Sequence, residues 1–191
     1  MKDSGLKSYA ACHSSASVEW FTPPEIIEAV LKLYQGEITT DPAARMHNDP
    51  ALPVSYSYTK EENGLSWPWK GKVYLNPPYS GRVLLWMDKA VKEYRAGNIQ
   101  EILILWKSST DTQAFRKITE IADHVCFISG RLKFSGSKNP APFPSALFYA
   151  GHHKDAFRDL FSEFGPIWQK GIDRRPPAAI IDKEGITITI E

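Results

Sequence analysis

The 191-residue sequence predicts an α/β protein with a doubly wound, mostly parallel central sheet. Two observations carry that expectation. Helical periodicity and short apolar strand patterns alternate along most of the chain. The run Ile102-Leu103-Ile104-Leu105 is continuously apolar, as in strands covered on both faces of a parallel sheet. A third feature places a site. Asp41–Ala44 and Asn76–Tyr79 each follow a predicted strand at once, and sheets of this kind bind ligands outside the carboxyl ends of their strands.

The elements follow in order. Residues 1–17 are Ser/Ala-rich and aperiodic and read as a flexible N-terminal arm. Thr22-Pro23-Pro24-Glu25 reads as a helix start, with Thr22 as N-cap, Pro23 at the first helical position and Glu25 completing a capping box. Ile26, Val30 and Leu33 recur at helical spacing, and Gly36 closes the helix. A strand from Glu37 to Thr40 runs into Asp41-Pro42-Ala43-Ala44. A helical turn at Ala43–His47, a strand at Val54–Tyr58 and a turn at Asn63-Gly64 come next. Val73–Leu75 is a strand that Pro77 and Pro78 end, since two prolines cannot continue a central strand. Residues 82–96 form a helix with Val83, Trp86, Ala90 and Tyr94 on one face and Gly97 as its stop.

Glu101–Trp106 is the apolar strand, and residues 111–122 a further helix. His124–Ile128, Leu132–Phe134 and Ala146–Tyr149 read as strands, and 153–163 as a last helix. Asp182-Lys183-Glu184-Gly185 turns a terminal hairpin into Ile186–Ile190. The expected organisation is one domain over 18–171 between the arm and a tail of residues 172–191 that carries the hairpin.

Lys and Arg number 23 and Asp and Glu 22, a formal net charge of +1. That excludes a strongly basic coat and an acidic disordered tail, so any affinity for nucleic acid has to come from local clustering. No run of about 18 apolar residues exists to span a membrane, and Met1–Gly5 leads into a polar stretch without a signal-peptide core. Two cysteines, Cys12 and Cys126, are too few for a disulfide scaffold, and a cytoplasmic location is expected. Nine Phe, eight Tyr and six Trp are enough both to build a core and to stack on a flat ligand.

Asn76-Pro77-Pro78-Tyr79 offers specific chemistry. The prolines stiffen the corner. The main-chain carbonyls of Asn76 and Pro77 have no helix or ladder partner nearby, and the Asn76 side-chain carbonyl can point the same way. Two acceptors held rigidly suit a planar NH₂ group with two hydrogens to donate. Tyr79 adds a flat face for the ring that bears the amine. Accepting both hydrogens favours pyramidal geometry at nitrogen and orients it for in-line displacement, without a strong base. The alternative is a turn with a packed tyrosine. Asp41 has two readings as well, a turn-forming cap or a ligand for a cation, and Trp20 is either a core aromatic or a wall of the site. Arg131, Lys133 and Lys138 flank Ser135-Gly136-Ser137 and either meet phosphates or lie on a solvated surface, as do Arg82 and Lys89. His47-Asn48-Asp49 reads as a polar loop, His152-His153 as surface, and Cys126 as core; no metal site is expected.

These blocks together resemble the phage-type, Dam-like DNA N6-adenine methyltransferases. Asn76-Pro77-Pro78-Tyr79-Ser80, followed by Trp86 and Lys89, resembles their catalytic loop. Trp20-Phe21-Thr22-Pro23 resembles their Trp-x-Thr-Pro segment, and Asp41-Pro42-Ala43-Ala44 their Asp-x-Ala-Ala segment. Asn63-Gly64-Leu65 with Trp69, Ser109–Thr112, Gly130–Phe134 and Pro142–Ser145 resemble further blocks, in the family's order over roughly residues 18–150.

The resemblance implies a compact class I (Rossmann-like) methyltransferase fold that uses S-adenosylmethionine. Its implied catalytic residues are Asn76, Pro77, Pro78 and Tyr79, with Tyr79 stacked on a flipped adenine. Its implied cofactor-binding residues are Trp20, Thr22, Pro23, Asp41, Pro42, Ala43 and Asn63. Ser80, Arg82, Lys107, Arg131, Lys133 and Lys138 are the implied DNA-binding residues. The implied partner is double-stranded DNA, with GATC as the first site to test, and the implied setting is a phage- or prophage-encoded chain in a bacterial cytoplasm, acting as a monomer or weak dimer. Position 63 is Asn where the family usually has Asp, which replaces a charged acceptor by a neutral one. Trp106-Lys107-Ser108 stands where the family has a more proline-like segment. The alternatives are transfer to cytosine N4, to an RNA or protein amide, or a catalytically inactive DNA-binding relative.

Overall fold

The structure is a computed structural model that describes residues 20–79 and 81–171, together with the backbone of 180–181 and 187–188. The arm, Cys12, Ser80 and most of the tail lie outside the described residues. The first helix, α1, runs Pro24–Leu33 and is followed by β1 (Ile38–Asp41), β2 (Val54–Ser57) and a 3₁₀ turn at Gly64–Ser66. Then come β3 (Gly71–Leu75), α2 (Val83–Arg95), β4 (Ile99–Lys107), α3 (Gln113–Ile118) and β5 (His124–Phe127). The chain continues through β6 (Ser145–Ala150), α4 (Lys154–Phe161) and β7 (Ile167–Gln169). A separate antiparallel pair, β8 (Ile180–Ile181) with β9 (Thr187–Ile188), forms where the tail hairpin was expected.

The seven-stranded sheet has the order β2-β1-β3-β4-β6-β5-β7. Strands β2, β1, β3 and β4 are parallel, whereas the β4–β6, β6–β5 and β5–β7 pairs are antiparallel. The sheet is therefore parallel in one half only. The apolar run of β4 is buried on both faces as expected, but it borders a parallel strand on one side and an antiparallel one on the other, so burial alone did not fix direction.

Alternation along β4 divides the core. Ile102, Ile104 and Trp106 pack with Trp86, Met87 and Ala90 of α2 and Ile118 of α3. Leu103 and Leu105 pack with Ile26, Val30 and Leu33 of α1 and Phe157 and Phe161 of α4. The result is a sheet with helices on both faces, each helix burying one stripe.

Several expectations need correction. Thr22 does not cap α1: the helix starts after Pro23, and the Thr22 hydroxyl is engaged by Tyr74 and Asn76 instead. Residues 43–47 form turns and bends rather than a helical turn. Leu132–Phe134 is not a strand. Its alternation buries Leu132 and Phe134, but the segment has no ladder, only a bridge from Ser135 to Phe21. The helix expected over 111–122 ends at Ile118, with Thr112 as its N-cap. His153 is not a plain surface residue, because its Nδ1 meets the buried Glu101 carboxylate at 2.8 Å. Cys126 is buried as expected, and burial pushes its thiol up to about 12. No helix among the described residues is long and apolar enough to cross a membrane.

Candidate active site

β1 and β3 are neighbours and parallel, with Thr40 opposite Val73. Their carboxyl ends therefore emerge side by side, which places Asp41 next to the corner that begins at Asn76. A cavity of about 390 Å³ opens there, with Thr22, Ile27, Leu31, Asp41, Tyr74 and Asn76 among its walls. Its apolar wall comes from one face of α1, and its polar floor from the two strand ends.

Asp41 is 7% exposed, and its Oδ1 accepts from the Ala43 amide at 3.0 Å, an Asx-type turn. The turn considered from sequence is present, but no helix follows it for Asp41 to cap. It leaves the carboxylate without a cationic partner among the described residues, and burial raises its pKa to about 7. Pro42 is buried and does not line the cavity. A Cβ at Gly64 would collide with the Pro42 carbonyl, so the chain passes this close to the loop only with glycine at position 64. Asn63 is exposed in a left-handed turn (φ 55°), and its Nδ2 donates to Ser66 Oγ at 3.1 Å. It lies outside the cavity lining.

The Asn76 amide is held at one end only. Nδ2 donates to the Trp20 carbonyl at 2.7 Å and to Thr22 Oγ1 at 3.2 Å. Oδ1 is buried and finds no partner among the described residues. The Trp20 carbonyl can only accept, so the end it holds is the NH₂ and the free end is the oxygen. Pro77 is buried and Pro78 exposed. The Trp20–Pro23 segment is tied down by the Ser135 amide, which donates to the Phe21 carbonyl at 2.9 Å, and by Ser135 Oγ, which donates to the Thr22 carbonyl at 3.1 Å.

Tyr79 sits in an aromatic cluster. Phe143 stacks on it at 5.1 Å and 26°, Trp106 lies at 4.5 Å, and Trp20 and Phe134 close the group. Its hydroxyl is buried without a partner among the described residues, and burial raises its pKa well above the usual tyrosine range. Lys107 Nζ lies 4.4 Å from the Phe143 ring centre and 5.5 Å from that of Tyr79, and burial lowers its pKa. Of the other predicted DNA contacts, Lys138 lines a groove of about 510 Å³ beside Trp20 and Phe21. Arg82, Arg131 and Lys133 are exposed.

The structure thus gathers Trp20, Thr22, Asp41, Asn76, Tyr79 and Lys107 around one end of the sheet and leaves Asn63 outside. Sequence reasoning missed Tyr74, whose place in a plain apolar strand gave no signal, and Gly64 as the point of close approach, which its turn context disguised. No group of three or more His, Cys, Asp or Glu that could hold a metal occurs among the described residues.

None of the curated proteins matches the chain. The family model described as DNA N-6-adenine-methyltransferase (Dam) matches residues 11–145, well over half of the sequence and both segments that build the cavity. On that match, the chain belongs to the Dam family of DNA N-6-adenine methyltransferases.

Proposed function

We propose that this protein moves a methyl group from S-adenosylmethionine to N6 of an adenine turned out of duplex DNA, on a class I (Rossmann-like) methyltransferase fold. The observation that supports it most is the Asn76 amide, anchored through nitrogen with a bare, buried oxygen at the rim of a cavity that also holds an uncompensated carboxylate. An unpaired buried acceptor is costly unless a ligand completes it.

The cavity suits the cofactor. Asp41 would meet its ammonium group, while Ile27 and Leu31 line the cavity with apolar surface. When bound, S-adenosylmethionine supplies an electrophilic methyl on a sulfonium. Asn76 Oδ1 and the Pro77 carbonyl accept the two N6 hydrogens and aim the nitrogen lone pair at that methyl. The amine proton becomes acidic only after nitrogen is alkylated, so no strong base is required. Tyr79 supplies the stacking face, which Phe143 covers in this structure. Turning the base out costs a few kcal/mol, and stacking and the two hydrogen bonds offset it. Ser80, Arg82, Lys107, Arg131, Lys133 and Lys138 would meet the phosphates.

The test is transfer to duplex DNA followed by mass analysis of its nucleosides. N6-methyladenine is the expected product. N4-methylcytosine, or methylation confined to RNA or protein, would overturn the proposal.

A further inference from the structure

We infer that Tyr74 is a positioning residue that sorts the two ends of the Asn76 amide through Thr22, a role that presupposes the amine-transfer chemistry proposed above. An asparagine amide turned by half a revolution fills the same space but presents NH₂ in place of oxygen. Presented to another amine, that orientation opposes donor to donor and blocks the reaction. Something has to hold the correct orientation.

The Trp20 carbonyl holds one N–H of the amide, because a carbonyl only accepts, and the second contact falls to Thr22. Thr22 is ambiguous by itself: a hydroxyl can accept from Nδ2 or donate to Oδ1 with equal ease. Tyr74 Oη can resolve the ambiguity by taking the Thr22 proton. Its hydroxyl lies 2.7 Å from Thr22 Oγ1, and its side chain is 1% exposed. With Tyr74 Oη taking the Thr22 proton, Thr22 has only a lone pair left for Asn76, at 3.2 Å. Both neighbours of the amide are then acceptors, and Oδ1 is turned toward the substrate. Tyr74 also lines the cavity with Asp41.

The experiment compares Tyr74→Phe, Thr22→Val and Thr22→Ser with the wild type under single turnover on an adenine-containing duplex. Melting temperature and S-adenosylmethionine affinity are read in parallel. Tyr74→Phe keeps the ring and its packing, so a folded variant is expected. Its rate should fall about tenfold, the order of one lost hydrogen bond, with KM for DNA changed less than threefold. Thr22→Val should fall as far and Thr22→Ser should recover most of that loss. The double variant Tyr74→Phe/Thr22→Val should be no slower than Thr22→Val. A full rate for Tyr74→Phe, or losses that multiply in the double variant, would overturn the inference. Should Tyr74→Phe melt early, its rate is compared at a temperature where it remains folded, and a full rate there still overturns the inference. A wild type that methylates no adenine would defeat the proposed function; an active wild type matched by Tyr74→Phe defeats this role alone.

Discussion

Two buried carboxylates sit in the central sheet, and they differ in how they are completed. Glu101, near the start of β4, is 3% exposed and is met by the Tyr149 hydroxyl and by His153 Nδ1. Asp41, at the carboxyl end of β1, is 7% exposed and has one backbone amide. Burial costs both groups solvation. The chain itself supplies the compensation at Glu101, whereas at Asp41 it withholds a cation and the pKa climbs to about 7. A saturated buried carboxylate holds the fold together, and an unsaturated one marks a place for a ligand. Asn76 Oδ1 and the Tyr79 hydroxyl extend the same deficit across the carboxyl end of the sheet.

The largest expected effect lies at the bare oxygen. Asn76→Ala should lower transfer by about a thousandfold, as for loss of a group that holds the reacting atoms. Cofactor affinity, read by calorimetry, should stay within about threefold. Normal turnover would refute the role of Asn76.

The carboxylates themselves should respond in opposite directions. Glu101→Ala leaves the Tyr149 hydroxyl accepting from the His153 amide but with no acceptor for its own proton, and should destabilise the fold by about 2 kcal/mol in urea unfolding, with cofactor affinity unchanged. Asp41→Asn should stabilise the ligand-free protein at pH 8. The folded pKa of Asp41 is raised above its unfolded value, so the folded state holds an extra proton between about pH 4 and 7. Stability therefore falls as pH rises through that window, and the variant escapes the loss. A variant that melts below wild type at pH 8 would count against an uncompensated Asp41.

How much of this was legible beforehand follows from which signals are local. Asp41 and Asn76 could be found because a strand pattern followed by prolines forces the chain out of the sheet, and strand ends are where ligands bind. That the two ends would be adjacent depended on β1 pairing with β3, which no local pattern encodes. The false strand at Leu132–Phe134 had the right alternation, because one face is buried, but no partner strand. Thr22 satisfied every capping rule and was recruited by Asn76 from 54 residues away. The antiparallel half of the sheet stayed hidden, since continuous apolar runs report burial and not direction.

Smaller effects sharpen the aromatic side of the site. Tyr79→Phe should keep turnover within about twofold and be at least as stable as wild type, because its hydroxyl is buried without a partner. Tyr79→Ala should lose most activity; equal activity of the two would argue against stacking. Lys107→Met should reduce the slope of log affinity for duplex DNA against log salt by about one unit, as for one lost phosphate contact. An unchanged slope would leave Lys107 as a packing residue over Phe143.

The most direct test is calorimetric titration of S-adenosylmethionine into wild type and Asp41→Asn at pH 6 and pH 8. Ionisation of a group near pH 7 should raise wild-type affinity about tenfold between the two, while the variant binds weakly at both. Equal, pH-independent affinity in the two proteins would contradict a cavity built around an uncompensated Asp41.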